Sequence, residues 1–167
     1  MSMCQALIAD FGKEIENTRK ILDAVPEDKF DWKPHEKSMP LGALAGHVAE
    51  NPDWTSSMMV PVFDFVADAA DYKPFVPSTK AELMEAFEKN YGGFAETLGD
   101  GDDDFFRETW TMRAGDTVMM EEERHWAIRQ IAIHHMIHHR GQLTVYLRML
   151  DVPVPGTYGP TADEKDG

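Results

Sequence analysis

Four long stretches of this chain place apolar residues at intervals of three, four and seven, and segments rich in proline or glycine separate them. This spacing puts the apolar side chains on one face of an α-helix, so the pattern predicts four amphipathic helices. They are expected over residues 3–25, about 40–68, 79–98 and 121–150. The economical way for four such helices to bury a common core is side-by-side packing, so we predict an all-α, four-helix bundle.

Local signals set the limits of these helices. Ser38 is expected to cap the second helix, and Asn51-Pro52 to bend or interrupt it, because the residue before a proline avoids helical geometry. Thr79 and Glu82 have the spacing of a capping box at the start of the third helix. The acidic residues 121–123 suit the positive end of the fourth helix, which we expect them to open.

One break in the helical pattern lies between the third and fourth helices. Residues 105–118 look extended and are expected to form a short hairpin that turns at Ala114-Gly115-Asp116. We therefore predict one domain over residues 1–167, with a short extended excursion before the last helix. Residues 151–167 form a tail rich in proline and glycine that is expected to be partly mobile.

The composition limits the classes of partner. A formal net charge of −14 repels phosphate backbones, so we expect no nucleic-acid partner. We find no signal peptide and no apolar run of the roughly 18–20 residues that a membrane span needs, so we expect no membrane partner. Cys4 is the only cysteine, which excludes an intrachain disulfide and fits a cytoplasmic location.

Four of the seven histidines lie within residues 134–139 of the predicted fourth helix. Residues four apart lie on the same face of a helix, so the imidazoles of His135 and His139 can bind one transition metal. A helical wheel places both on the stripe that faces the core, whereas His134 and His138 lie toward the edge of that stripe. The alternative is that these histidines form hydrogen bonds with acids or water.

A metal site needs at least one more protein ligand. His47 is the best candidate, because it lies on the inner stripe of the second helix after the small residues 42–46; His35 and His125 are weaker. Three imidazoles favour zinc, nickel, copper, cobalt or iron and leave coordination positions for water or substrate. A di-iron bundle is a rival interpretation, but the sequence offers one Glu-x-x-His match where two are needed, at Glu122.

Other residues of the fourth helix suggest further roles. Gln142 and Tyr146 continue the inner stripe beyond His139 and are candidates for binding a cofactor or substrate, although packing is the alternative. Arg140 lies about 140° from His135 on the helical wheel and is expected to face outward, toward another helix or the tail.

An apolar back face on the fourth helix suggests self-association. Trp126, Ile133 and Ile137 lie opposite the histidines, and a helix that is apolar on two sides is central or part of an interface. We therefore predict a homodimer that buries this face.

His47, residues 135–143 and residues 152–160 resemble the DinB-like (YfiT-like) metalloenzyme superfamily. The resemblance spans nearly the whole chain, and its most specific part is the His-Arg-Gly-Gln segment together with the Tyr-Gly-Pro tail. It implies a four-helix bundle with up-down-down-up connectivity, often dimeric. It also implies a divalent metal, often zinc or nickel, bound by His47, His135 and His139.

The resemblance further implies candidate reactions on a small-molecule substrate. Characterised members include thiol S-transferases that use bacillithiol or mycothiol, and a maleylpyruvate isomerase. We predict a metal-dependent thiol S-transferase, in which a metal-activated low-molecular-weight thiol attacks an electrophile. A non-catalytic metal-binding stress protein and a metal-dependent hydrolase or isomerase remain alternatives. Asn51-Pro52 lies only four residues after His47, and a bend there reshapes the expected pocket. The resemblance therefore does not identify the substrate.

Overall fold

A computed structural model of the protein describes residues 1–99 and 101–164. Helices carry most of the core, and a small sheet lies against one end of them. In chain order the elements are α1 Met3–Asp23, α2 Leu41–Glu50, β1 Val62–Asp64, α3 Phe65–Asp68, α4 Lys80–Leu98, α5 Asp103–Arg107, β2 Thr109–Ala114, β3 Thr117–Glu123, α6 Arg124–Ile128 and α7 His135–Met149. A 3-10 helix, Asn51–Met58, follows α2, and a π-helical turn, Arg129–His134, joins α6 to α7.

The prediction of a four-helix bundle with only a short extended excursion is wrong. A three-stranded mixed sheet has the order β1-β2-β3, with β1 parallel to β2 and β2 antiparallel to β3. The second predicted helix does not reach residue 68. After Met58 the chain becomes extended, and the carbonyl of Pro61 accepts a hydrogen bond from the backbone N–H of Thr111, which begins the pairing of β1 with β2.

The hairpin itself is confirmed, but both of its limits move. Its turn includes Gly115, which adopts a positive φ of 58° that other residues rarely adopt. Phe105 lies in α5 instead of an extended segment, because the side chain of Asp102 caps that short helix. The acidic residues 121–123 complete β3, so the last helical segment begins at Arg124.

Of the two predicted helix caps, one is confirmed and one is wrong. Thr79 Oγ1 accepts from the backbone N–H of Glu82 at 3.1 Å, as the sequence predicts. Ser38 does not cap α2, whose N-cap is Pro40. Backbone carbonyls of Phe30 and Trp32 accept from the first N–H groups of α2 and take the place of a side-chain cap.

The inward stripe of α7 differs from the predicted one. Met136, Leu143 and Leu147 are fully buried, whereas Gln142 and Met149 are exposed. The core stripe is therefore rotated by one residue from the stripe that carries His135 and His139. The two histidines consequently lie beside the core and are half-buried, instead of pointing into its centre.

Arg140 also lies on the buried stripe, so the prediction that it faces outward is wrong, although it does contact another helix and the tail as expected. Its side chain is 2% exposed, and its guanidinium donates to the carbonyl of Glu14 at 3.0 Å and to the hydroxyl of Tyr158 at 2.7 Å. It also pairs with the Glu14 carboxylate at 2.8 Å. Arg140 thus joins α7 to α1 and to the start of the tail, which explains why a charged side chain is buried here.

The predicted apolar back face is smaller than the sequence suggests. Ile133 is 4% exposed and belongs to the core of this chain. Trp126 remains exposed, and Ile137 packs partly against the core. Within the described residues, no helix has the combination of length and apolar character that crossing a membrane requires.

Substituting Arg140→Met tests the role of this buried arginine. Methionine preserves much of the volume but leaves the Glu14 carboxylate without its partner, and removing one member of a buried pair costs about 3 kcal/mol. Arg148→Met is the matched control: it lies two turns along α7 and pairs with Asp163 at the surface, where loss costs less than about 1 kcal/mol. Urea unfolding measures both changes, and equal losses would contradict this role.

Candidate metal centre

Three histidines from two helices meet beside the core. His47 lies near the end of α2, and His135 and His139 lie one turn apart at the start of α7. Each offers one ring nitrogen, and these three atoms all lie within 4.8 Å of one another. The Nε2 atoms of His47 and His135 are 2.9 Å apart, and the ring centroids of His135 and His139 are 4.5 Å apart.

The donor set fits a transition metal. An imidazole nitrogen lies about 2.0–2.1 Å from zinc, so two such nitrogens on a tetrahedral ion are about 3.3 Å apart. The spacings between the three ring nitrogens, up to 4.8 Å, bracket this value, so small side-chain rotations bring all three onto one ion. Neutral imidazoles are ligands for zinc, nickel, copper and cobalt, and three of them leave coordination positions open.

Two polar side chains orient the rings. The Glu50 carboxylate can only accept, so its contact with His47 Nδ1 at 3.3 Å places the proton of that ring on Nδ1 and leaves the Nε2 lone pair available. Gln142 Oε1 lies 2.7 Å from His139 Nδ1 and has the same effect on that ring. The amide group of Gln142 also donates to His138 Nε2 at 3.2 Å.

Glu50 is a buried carboxylate with several donors. Burial alone would raise its pKa, but the hydrogen bond from His47 opposes this effect. The hydroxyl of Tyr72 donates to it at 2.6 Å and the backbone N–H of Phe75 at 3.0 Å, and together these bonds hold the pKa of Glu50 below its ordinary value. Burial and the nearby Glu50 carboxylate in turn raise the pKa of Tyr72.

Two imidazoles of α7, those of His135 and His139, are held in the neutral form. Burial, together with the neighbouring rings of His139 and His47, whose like charges would repel, lowers the pKa of His135 to about 4. Burial also lowers the pKa of His139, against the opposing hydrogen bond that His139 donates to Gln142. At neutral pH both rings therefore keep a lone pair for a metal.

A π-helical turn and one amide set the position of α7 against α2. The turn, Arg129–His134, ends directly before His135. Inside it, the carbonyl of Ile131 accepts from Asn51 Nδ2 at 2.7 Å. Asn51 follows His47 by four residues, and Ile131 precedes His135 by four, so this contact lies one helical turn from the histidine pair and fixes their separation. Such π-bulges occur frequently at functional sites.

The remaining histidines do not belong to this group, although the ring of His138 lies beside that of His139 with centroids 4.9 Å apart. His134 and His138 are exposed, as the sequence predicts for the edge of the stripe. His125 is buried, and its Nε2 contacts Glu123 at 2.7 Å. It lies about three helical turns before His135. His35 lies exposed in the segment before α2.

Gln142 and Tyr146, the candidates for binding a cofactor, have local partners. Gln142 contacts His138 and His139, so its role is to orient a ring of the triad. Tyr146 donates to the carbonyl of Met39 at 3.3 Å and lies edge-on to Trp32, with ring centroids 5.7 Å apart. Neither side chain lines the cavity beside the triad.

A cavity of about 750 Å³ lies beside the histidines, and we call it the apolar chamber. His47 and His135 form part of one wall. The rest of its surface is largely aromatic and thioether side chains: Trp54, Phe63, Phe65, Trp110, Met112 and Met120. The sheet supplies most of these, because Phe63, Met112 and Met120 form one cross-strand row on its inner face.

The segment between α3 and α4 closes one side of the chamber. Tyr72 and Pro74 line the cavity, and Glu50 binds this segment through Tyr72 and Phe75. Close approach to α2 is possible because Gly46 has no side chain: a Cβ there would lie 2.3 Å from the carbonyl oxygen of Phe75. Glu50 therefore connects a histidine of the triad to the wall of the chamber.

Sequence reasoning missed the chamber and Glu50. A carboxylate three residues after His47 is one turn along the same helix, and that spacing could have indicated Glu50. The chamber depends on pairing between β1 and β2, whose residues are about 50 apart in sequence. The alternation of Trp110 and Met112 with polar residues was the available sign of an inward strand face.

Comparison with known proteins identifies the same architecture. A model of the DinB family matches residues 2–166. The chain is 25% identical over 161 residues to YrdA, an uncharacterized protein of Bacillus subtilis (strain 168), covering 90% of this chain and 85% of that protein.

Two crystal structures show the shared fold. A DinB-like protein from Bacillus cereus ATCC 10987 has a TM-score of 0.70 at 22% identity, covering 92% of this chain and 97% of the other. The DinB-like protein YjoA from Bacillus subtilis has a TM-score of 0.68 at 16% identity, covering 91% and 97%. Because the family model spans nearly the entire sequence, this chain belongs to the DinB family.

Proposed function

We propose that the protein binds one divalent transition metal, zinc or nickel, through His47, His135 and His139, and that it is a metal-dependent thiol S-transferase. The observation that carries the proposal is the position of the three imidazoles, which lie together beside a large apolar chamber and of which two, His47 and His135, line its wall. A structural metal site is closed by protein ligands, whereas a catalytic site keeps a position open toward a pocket.

The chain's own residues prepare such a site for chemistry. A bound divalent ion supplies Lewis acidity, which lowers the pKa of a coordinated thiol or water. Glu50 holds the proton of His47 on Nδ1, and Gln142 orients His139. The aromatic walls exclude water from the reacting atoms, which protects a thiolate and strengthens electrostatic interactions.

The nucleophile of the proposed reaction comes from outside the chain. Cys4 is buried in α1, its Sγ contacts the carbonyl of Gly99 at 3.2 Å, and it is not among the described residues that line the chamber. A low-molecular-weight thiol fits this requirement. Its sulfur forms a bond to an electrophilic carbon, the leaving group departs with the bonding electrons, and the thiol proton passes to solvent.

Thermal unfolding with small thiols tests this proposal. We expect 2-mercaptoethanol, bacillithiol or mycothiol to stabilise the zinc- or nickel-loaded protein, by about 5–10 °C at a hundredfold excess over the dissociation constant. Ethylene glycol, which replaces the sulfur of 2-mercaptoethanol by oxygen, is the matched control and should have little effect. Equal stabilisation of chelator-treated protein, or none by any thiol, would contradict the thiol-transferase assignment.

Substituting Glu50→Gln tests the orientation of His47. Loss of the negative charge weakens the hold on Nδ1–H, and such outer contacts typically contribute 10–100-fold to metal affinity, so we expect at least a tenfold weaker affinity. Competition with a chromophoric chelator measures it. Asp53→Asn is the matched control, since this exposed carboxylate lies three residues further on and should change affinity little. Unchanged affinity in Glu50→Gln would exclude the orienting role.

A further inference from the structure

We propose that the apolar chamber is a binding site for an uncharged aromatic small molecule and that it rejects anions of the same shape. The assignment of such a molecule as the electrophile of the transferase rests on the proposed function. As a property of the chamber, selectivity for uncharged aromatic ligands rests on the lining alone and is tested without any reaction.

The lining favours aromatic surfaces. Trp54 and Trp110 lie on different elements that border the same cavity, and Phe63 and Phe65 lie edge-on with ring centroids 5.0 Å apart. Aromatic rings prefer edge-on and offset contacts of this kind, which a planar aromatic ligand can extend. Met112 and Met120 add flexible, polarizable side chains that adapt to ligands of different outline.

The size of the chamber exceeds what a bound metal and a small thiol need. Ligand pockets for drug-sized molecules are about 300–1,000 Å³, and this cavity is about 750 Å³. A second, larger molecule can therefore occupy the chamber. His47 and His135 border it, so one end of that molecule lies next to the triad.

Charge excludes anionic ligands. The charged side chains that line the chamber are the carboxylates of Glu50 and Asp53, and no lysine or arginine is among the described lining residues. The net charge of −14 adds a repulsive field around the protein. In the protein without a bound metal, an anion entering the chamber would lose its hydration without gaining a cationic partner, which is unfavourable.

The matched fluorescent probes N-phenyl-1-naphthylamine and 8-anilinonaphthalene-1-sulfonate test this proposal on the full chain treated with chelator, so that the lining alone sets the preference. They share one aromatic scaffold and differ by a sulfonate group. We expect the uncharged probe to bind at least about tenfold more tightly, a difference of about 1.4 kcal/mol. Equal affinities, or tighter binding of the sulfonate, would overturn the proposal.

Lysine substitutions on β3 locate the bound probe. Met120→Lys places a cation in the chamber and should weaken the uncharged probe and strengthen the sulfonate, so that the ratio of affinities falls at least about fivefold. Met119→Lys is the control, because Met119 is the adjacent residue of the same strand and is 57% exposed. Equal effects of the two substitutions would place the probe outside the chamber and overturn the proposal.

A second variant keeps the test decisive if Met120→Lys does not fold. Asp53→Lys changes an exposed residue at the cavity surface. It should lower the ratio of the affinity for the uncharged probe to that for the sulfonate, as Met120→Lys does. An unchanged ratio in this variant would contradict the charge argument.

The outcome is separable from that of the thiol experiment. Preferential binding of the uncharged probe without any effect of thiols supports the chamber and contradicts the transferase. Stabilisation by thiols with no chamber binding of the probe supports the transferase and overturns the aromatic site.

Discussion

The hydrogen bond from the Asn51 amide to the carbonyl of Ile131, at 2.7 Å, fixes the part of the molecule on which the site depends. A π-helical turn leaves backbone groups out of the regular α-helical pattern, and here a buried side chain from the neighbouring helix takes one of them. The same contact holds α2 beside α7 one turn from His47 and His135. A change in helix register at this point would separate the imidazoles. The geometry of the three metal ligands therefore depends on the π-helical turn.

The site combines two structural contributions with different chemistry. The helices supply the imidazoles together with Glu50 and Gln142, which orient them. The sheet supplies an apolar wall, because the cross-strand row on its inner face turns toward the histidines. Glu50 connects the two, since it contacts His47 and also holds the segment that closes the chamber. A polar centre beside an apolar cavity is the arrangement expected where a metal-activated nucleophile meets an apolar substrate.

The sequence predicted the triad because its signal is local. An i,i+4 pair shows directly in helical spacing, and a single inner-face histidine on another helix supplies the third member. The sheet was not predictable in this way: β1 has three residues, and its pairing with β2 depends on contacts distant in sequence. Arg140 was misplaced because the helical wheel was centred on His135, whereas the buried stripe of α7 is rotated by one residue from it. The structure shows that the Glu14 carboxylate and the Tyr158 hydroxyl compensate its burial, and both come from distant segments.

Metal content per chain tests the central claim most directly, because the proposed function depends on the three imidazoles sharing one ion. Protein purified and dialysed without chelator, analysed by elemental mass spectrometry, is expected to hold about one transition-metal ion per chain. His47→Ala, His135→Ala and His139→Ala should each lose it, while His134→Ala, an exposed neighbour on the same helix, should retain it. Absence of metal from the folded wild-type protein, or equal loss from His134→Ala, would contradict the account.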